Sequence, residues 1–333
     1  MKRSMNTSWH TRSFHAMRRR LAHVVAMGLT ALSVSAVAQT APEMTPKQVG
    51  PNTWYVQGQA ALGSPANQNF ISNAGFVVAP QGVVVIDALG SPALARRLVQ
   101  KIADITPKPI THLIVTHYHA DHIYGLQVFK ELGAQIIAQQ DAREYLNSDT
   151  AAQRLEVSRT ELAPWVDNNT RLVPADRWLT DSTTLELAGT RFVVERVGPS
   201  HTPEDLAVLV PAERVLFAGD IMFAGRLPFV GKADSGQWIA SLDRLLRLDA
   251  QVVVPGHGDA STEPRKDMVV MRNYLNHLRT TMGKAAKDLV PFEEAYASTD
   301  WSTFEPMPMF RFANRMNAYN TYLLMEEESL RGR

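Results

Sequence analysis

The chain has 333 residues, no cysteine and a formal net charge of +1. Without cysteine it has no disulfides, thiolate metal ligands or cysteine nucleophiles, so nitrogen and oxygen atoms must hold any metal ion. Residues 1–38 carry six basic side chains and no acidic one, which leaves the remainder with a net charge of −5. Nucleic acid is therefore not expected as a partner, because binding phosphates requires a basic surface.

The amino-terminal residues have the pattern of an export signal. An arginine run at residues 18–20 precedes an apolar run over residues 21–37, and Ala-Val-Ala at residues 36–38 suits signal peptidase. We expect a signal peptide over residues 1–38 and a periplasmic or secreted mature protein. The apolar run is short and rich in Ala and Ser, so no stable membrane insertion is expected after cleavage. A retained anchor is the alternative, and Met17 is an alternative start.

A flexible leader is expected over residues 39–52, and a domain over residues 53–265 then alternates strand and helix patterns. Short β-branched runs between turn residues predict strands, and apolar residues at helical spacing predict helices. The predicted strands cover residues 54–58, 70–79, 83–87, 110–116, 135–138, 183–187, 191–197, 205–210, 215–218 and 251–254. The predicted helices cover residues 91–105, 121–132 and 237–248, and a helical extension packed on the domain covers residues 266–333. This order favours an α+β fold of two packed sheets covered by helices.

The strongest chemical signal lies directly after the strand predicted over residues 110–116. Residues 117–122 read His-Tyr-His-Ala-Asp-His, which places three histidines and an aspartate within six residues. In an extended segment His117 and His119 point to the same side, whereas Asp121 and His122 can reach a neighbouring position where the chain turns into a helix. The segment can thus offer two ligands to each of two metal ions. Imidazole and carboxylate suit Zn²⁺, with Fe or Mn as alternatives.

Three further residues of metal-binding type follow later predicted strands. His201, Asp220 and His257 each lie in a turn of small residues, where backbones can approach one another closely. A lone histidine or aspartate in such a turn is more often structural. Together with residues 117–122, however, these three residues are candidate ligands that complete a metal site.

The order of these residues resembles the metal-binding signature of the metallo-β-lactamase fold superfamily, over about residues 53–260. The resemblance implies a four-layer αββα sandwich with metal ions in a groove at the sheet edges. The implied ligands of a first metal ion are His117, His119 and His201. Those of a second are Asp121, His122 and His257, and the implied bridging ligand is Asp220. A bridging aspartate is similar to glyoxalase II and related hydrolases, and residues 219–234 resemble the exported quinoprotein relay system zinc metallohydrolases.

The implied pair of zinc ions points to hydrolysis of a small-molecule substrate. Two divalent cations about 3.5–4 Å apart can lower the pKa of a shared water and polarise a scissile carbonyl or phosphoryl group. With Asp121 and Asp220 as catalytic carboxylates, we expect an exported hydrolase of an ester, lactone, thioester or amide bond that holds a pair of Zn²⁺ ions per chain. The resemblance leaves the oligomeric state open.

Three alternatives to this function stay open. β-Lactam hydrolysis is the first, although many β-lactamases of the superfamily have cysteine where Asp220 stands. Mononuclear iron chemistry like that of persulfide dioxygenases is the second. A binding protein that retains its metal but has lost turnover is the third.

A few other polar residues could act around the metal ions. Asp87 ends a predicted strand and is expected to orient the neighbouring metal-binding loop by hydrogen bonds, with capping of the strand end as the alternative. Arg226 lies on a glycine-rich loop and could bind a substrate carboxylate, as could Lys232, or both could be solvated loop charges. Asn69 and Asn73 could line the rim of the groove or face solvent.

Overall fold

The computed structural model describes residues 41–331, so the expected export signal over residues 1–38 lies outside the described residues. Two β-sheets face each other, and helices cover the outer face of each. This is the four-layer α+β sandwich that the sequence predicts. Across residues 41–331, no helix is long and apolar enough to cross a membrane.

Within the described chain, the first sheet has seven strands in sequential order, antiparallel up to the fourth and parallel beyond it. They are β1 (Lys47–Gly50), β2 (Thr53–Val56), β3 (Ala74–Ala79), β4 (Gly82–Ile86), β5 (Ile110–Ile114), β6 (Gln135–Gln139) and β7 (Arg177–Leu179). β1 corrects one prediction. The segment expected to be a flexible leader contains a strand, because Lys47 pairs with Tyr55 and Gln48 with Trp54.

The second sheet follows along the chain as β8 (Thr183–Leu187), β9 (Thr190–Arg196), β10 (Leu206–Val210), β11 (Val215–Phe223) and β12 (Val252–His257). Neighbouring strands are antiparallel except for the parallel pair β11 and β12. β11 is longer than the strand predicted over residues 215–218, and Asp220 lies inside it. Its register with β12 shifts at Gly219, which is the behaviour of a bulge that turns the next side chain in a new direction.

Apolar side chains fill the space between the two sheets. β4 is buried along its whole length as Gly-Val-Val-Val-Ile, and β10 likewise as Leu-Ala-Val-Leu-Val. Such continuous apolar runs are typical of strands that are covered on both faces. The sheets approach closely at Gly75 in β3, where a Cβ atom would lie 2.0 Å from Cε1 of Phe217 in β11. Glycine is therefore required at this contact.

Helices cover both outer faces of the sandwich. On the first sheet lie α1 (Pro92–Ile105), α2 (Ala120–Ile123), α3 (Leu126–Glu131), α4 (Ala142–Leu146) and α5 (Asp149–Glu161). On the second sheet lie α6 (Ser235–Leu245), α7 (Pro264–Lys287), α8 (Phe292–Ser298) and α9 (Phe310–Arg331). Ser91 caps α1, because its Oγ accepts a hydrogen bond from N of Leu94 at 3.3 Å.

The single helix predicted over residues 121–132 is broken at Gly125 into α2 and α3. A Cβ atom on Gly125 would lie 2.0 Å from the carbonyl oxygen of Ala88, so the chain at this point packs directly against the segment that follows β4. The prediction of one helix was wrong because this long-range contact interrupts a locally helical pattern. The same contact holds α2, which contains Asp121 and His122, beside the end of β4.

Candidate metal centre

All seven side chains predicted as metal ligands lie together at one edge of the two sheets. The four in residues 117–122 follow β5 and extend into α2. His201 lies between β9 and β10, Asp220 lies in β11, and His257 is the last residue of β12. They form two groups, and within each group the ligand atoms lie within 4.8 Å of one another. The first group consists of His117, His119, His201 and Asp220. The second group consists of Asp121, His122 and His257.

Asp220 lies between the two groups. Its Oδ2 is 3.8 Å from Nε2 of His117 and 3.3 Å from Nε2 of His201, both in the first group. The same oxygen is 3.3 Å from Nε2 of His257, and Oδ1 is 3.2 Å from Nε2 of His122, both in the second group. One carboxylate therefore faces imidazole nitrogens of both groups, which is the position that a bridging ligand requires.

Two glycines allow Asp220 to reach this position. Gly219 has a φ of +52°, and a Cβ atom there would lie 2.8 Å from Cβ of Thr116. A Cβ atom on Gly256 would lie 1.9 Å from Oδ1 of Asp220 itself. The small residues that surround these candidate ligands in the sequence thus have a steric reason.

The buried nitrogen and oxygen atoms of the centre fit a divalent cation. Nε2 of His117, Nε2 of His122 and Oδ1 of Asp220 are buried and have no hydrogen-bond partner among residues 41–331. The 3.2 Å pair of His122 and Asp220 is close, but it is not aligned as a hydrogen bond. Buried polar atoms are nearly always satisfied, so a convergent set of unpaired ones suits metal coordination. Imidazole nitrogen and carboxylate oxygen are ligand types that zinc accepts.

Hydrogen bonds at Nδ1, on the side of the ring away from the proposed metal position, orient two of the histidines. Nδ1 of His122 lies 2.9 Å from Oδ2 of Asp87. The same Oδ2 accepts a hydrogen bond from Oγ1 of Thr116 at 2.7 Å, and Oδ1 of Asp87 accepts one from the backbone N of Thr116 at 2.8 Å. Nδ1 of His257 lies 2.7 Å from the carbonyl oxygen of Ile71. A histidine that donates from Nδ1 keeps Nε2 unprotonated and directed at the metal position. Asp87 makes the hydrogen bonds that the sequence predicts, whereas the backbone oxygen of Ile71 leaves no signal in the sequence.

Burial and mutual contacts shift the pKa values of these side chains in opposite directions. Burial holds the pKa of His117 well below its usual value and lowers that of His201 to about 3. Burial would also lower the pKa of His122 and His257, but the two aspartates of the centre outweigh it and raise both. Burial favours protonation of these aspartates, yet the facing histidines hold both of their pKa values low. Neutral imidazole is the form that binds metal, so cation binding at this centre is coupled to loss of protons.

Asn73 fixes the turn that carries His257. Its Nδ2 donates to the carbonyl oxygens of Pro255 at 2.8 Å and Gly258 at 2.9 Å, on either side of the turn. Asn73 and Asn69 are both buried, so the interpretation of these residues as solvent-facing is wrong. Asn73 positions a candidate ligand, and no motif in the sequence marks it.

A cavity of about 590 Å³ opens over the metal-binding side chains. Its apolar wall includes Ile71, Phe229 and Val230. Apart from the candidate ligands, its charged lining residues are Asp141, Glu144, Glu204 and Lys232. The loop of Val230 is held by α9, because its N donates to Oδ1 of Asn317 at 2.8 Å. The carboxyl-terminal helix α9 therefore helps to position the cavity wall.

Arg226 does not line this cavity, contrary to the prediction that it contacts substrate. Its side chain is 2% exposed, and the guanidinium carbon lies 5.7 Å from the ring centre of Phe223 and 5.6 Å from that of Phe229. The guanidinium packs beside these aromatic rings, at distances that allow cation–π attraction. Lys232, on the same loop, does line the cavity.

The family of the protein follows from comparison with known sequences. The family model of the metallo-beta-lactamase superfamily matches residues 68–257. This match covers more than half of the chain, so the chain belongs to the metallo-beta-lactamase superfamily. The fold and the family that the residue motif predicts are thereby confirmed.

Individual relatives include hydrolases of different substrates. The chain is 26% identical over 231 residues to a linear primary-alkylsulfatase from Pseudomonas sp.. The aligned region covers 59% of this chain and 43% of that protein. It is 27% identical over 242 residues to a type 2 metallo-beta-lactamase from Elizabethkingia meningoseptica, and the aligned region covers 71% of this chain and 86% of that protein. The solved structure of the stereoselective inverting sec-alkylsulfatase Pisa1 from Pseudomonas sp. has a TM-score of 0.65 at 17% identity, over 84% of this chain and 50% of that chain.

These relatives establish the class but not the reaction. The chain spans less than half the length of the primary-alkylsulfatase and half that of the sec-alkylsulfatase, whose structural likeness concerns the fold alone. The predicted class, a hydrolase of this superfamily with His and Asp groups for metal binding, is confirmed.

Proposed function

We propose that this chain is a dinuclear zinc hydrolase that acts on an ester, lactone, thioester or amide bond of a small molecule. The position of Asp220 supports the proposal most directly. Its two oxygens face histidine nitrogens of both ligand groups at 3.2 to 3.3 Å. A carboxylate between two groups is what a pair of cations requires, whereas a single cation needs only one of the groups.

The residues of the centre divide between binding the metal ions and placing the substrate. His117, His119 and His201 would hold one ion, Asp121, His122 and His257 the other, and both would share Asp220. When bound, the two ions supply Lewis acidity toward the scissile bond and lower the pKa of a water molecule. The side chain of Asp121 is 17% exposed and lines the cavity, so it can accept a hydrogen bond from that water and hold it toward the substrate. The apolar wall around Phe229 would bind the carbon skeleton of the substrate.

The relatives suggest two more specific classes of substrate bond. Similarity to the beta-lactamase of E. meningoseptica favours the amide of a β-lactam ring, and similarity to the alkylsulfatase favours a sulfate ester. Oxidation of a persulfide by dioxygen at a single iron ion is the redox alternative. That chemistry would use the group containing His201 and would leave the second group without a function.

A zinc titration of the chelator-treated protein tests the proposal. We expect no hydrolysis of p-nitrophenyl esters, thioesters, nitrocefin or alkyl sulfates without zinc, and hydrolysis of one of these classes that rises until about two equivalents are bound. His122→Ala should lose the second equivalent, whereas the control His112→Ala, away from the centre, should not. Failure to hydrolyse any of these substrates, or full activity at one equivalent, would overturn the proposal.

We also propose that the protein is exported to the periplasm or secreted. The support is the pattern of residues 18–38, an arginine run followed by an apolar run and Ala-Val-Ala. Amino-terminal sequencing of the protein from its host should find Gln39 as the first residue. A protein that still begins at Met1 or Met17 and fractionates with the cytoplasm would contradict the proposal.

A further inference from the structure

Glu204 is a buried carboxylate in the wall of the cavity above the metal centre. It is 4% exposed, and it follows the candidate ligand His201 by three positions. Its Oε1 accepts a hydrogen bond from N of Tyr118 at 3.1 Å, between His117 and His119. No lysine, arginine or histidine nitrogen of residues 41–331 lies within 4.0 Å of it. One face of this carboxylate is thus anchored, while the residue contributes to the cavity lining.

Other carboxylates lie along the same cavity. Asp141 is paired with Arg196 at 2.7 Å, and Glu144 is exposed and forms no ion pair among the described residues. The only positively charged residue among the described ones in the lining, apart from the histidines of the centre, is Lys232. Apart from the candidate metal ligands, the charged residues of the lining are therefore predominantly acidic.

Once the metal ions are bound, the cavity would be positive at the metal centre and negative on the neighbouring wall that contains Glu204. Two zinc ions outweigh the charges of Asp121 and Asp220, so the metal-binding edge is positive. A carboxylate that is buried without a cation is costly, and a positive group brought next to it is attracted strongly because water is excluded. This distribution of charge complements a molecule that carries a cation a short distance from an electron-rich scissile group.

We propose that Glu204 binds a protonated amine of the substrate. The substrate class would then be a small ester, lactone, thioester or amide that carries an ammonium group a short distance from the scissile bond. This inference rests on the proposed hydrolase function. The acidic lining also predicts weak use of substrates that carry a carboxylate or sulfate at the same end, because like charges repel in a cavity of low dielectric.

Binding of product-like ligands tests the proposal without requiring turnover. The zinc-loaded full-length mature protein would be titrated by calorimetry with γ-aminobutyrate and ε-aminocaproate, with butyrate and caproate as neutral-ended ligands, and with succinate and adipate as acidic-ended ones. We expect at least one amino acid to bind about 10- to 100-fold more tightly than its neutral-ended counterpart, which is the usual contribution of a hydrogen bond to a charged group. The dicarboxylates should bind most weakly.

The variant Glu204→Gln identifies the residue responsible. Glutamine keeps an oxygen that can accept from N of Tyr118, so the local fold should persist while the charge is lost. The preference for the amino ligands should disappear in this variant and remain in the control Glu186→Gln, which is exposed on β8. The same series should appear in the hydrolysis of the matching p-nitrophenyl esters.

Several outcomes separate this inference from the hydrolase function on which it rests. Equal binding of the amino and neutral-ended ligands by the wild-type protein would overturn the amine site, even if Glu204→Gln failed to fold. A preference for amino ligands that persists in a folded Glu204→Gln protein would also overturn it. An amine preference without any hydrolysis would support the site and reject the hydrolase function instead.

Discussion

Replacing Asp87 by asparagine should weaken zinc binding without unfolding the protein. Oδ1 of Asp87 accepts from N of Thr116, and Oδ2 accepts from Nδ1 of His122, at 2.8 and 2.9 Å. An asparagine amide has only one oxygen, so in either orientation its N–H₂ group faces one of these N–H groups. If the amide faces His122, the imidazole is driven to the tautomer that is protonated on Nε2, which cannot bind a metal ion.

The size of this effect follows from the contacts that are lost. Changes in residues that orient a metal ligand typically reduce metal affinity by about 10- to 100-fold. Because His122 belongs to the second ligand group, the second zinc equivalent should weaken more than the first. Asp87→Ala should be more severe, since it removes the acceptor of three buried donors, N and Oγ1 of Thr116 and Nδ1 of His122, at about 1–3 kcal/mol for each donor left without a partner. The φ of Asp87 is +62°, a conformation that asparagine also tolerates, so backbone strain should not contribute to the asparagine result.

The assay is a competition titration of zinc against a chromogenic chelator, combined with urea unfolding of the zinc-free protein. Asp87→Asn should show one strong and one weakened zinc equivalent and a free energy of unfolding close to that of the wild type. Asp181→Asn, an exposed substitution of the same kind, should match the wild type in both measurements. Two unchanged equivalents in Asp87→Asn would refute the role assigned to this hydrogen bond.

Three other changes should give measurable results. Gly256→Ala places a Cβ atom 1.9 Å from Oδ1 of Asp220 and should lower zinc affinity, with a loss of stability of about 1–3 kcal/mol from overpacking. Gly236→Ala in α6 is the control, and equal zinc affinity of the two variants would contradict the steric reasoning. Asn73→Ala removes the buried hydrogen bonds to Pro255 and Gly258 and should reduce both zinc affinity and thermal stability. An unchanged melting temperature would show that these hydrogen bonds do not stabilise the turn of His257. Removing zinc with a chelator should lower the melting temperature, because zinc at 100 times its Kd stabilises the folded state by about 2.7 kcal/mol. A melting temperature insensitive to zinc would contradict zinc binding by the folded protein.

The metal-binding residues could be predicted from the sequence because much of the site is local. Residues 117–122 place four metal-binding side chains next to a strand end, and strand ends at one sheet edge bring distant residues together. His201 and His257 each follow an apolar run and lie among small residues, which is a recognisable local pattern. Asp220 was a candidate from its small-residue surroundings, but its bridging role required the family order, because the predicted strand ended before Asp220 whereas β11 continues through it.

The residues that the sequence did not reveal depend on contacts between distant segments. The break at Gly125 arises from the carbonyl of Ala88, and β1 exists because the residues thought to form a leader pair with β2. Arg226 was assigned to the substrate from its charge and its loop, but the direction of its side chain is set by the rings of Phe223 and Phe229. Charge and spacing alone do not specify on which side of a loop a side chain packs.

The metal content of the mature protein, isolated from its host without chelator or affinity-column metal, tests the central proposal most directly. Elemental analysis should find about two zinc ions per chain, because the seven ligands form two groups that share Asp220. A single iron ion per chain would contradict the dinuclear hydrolase and favour oxygen-dependent sulfur chemistry at the group that contains His201.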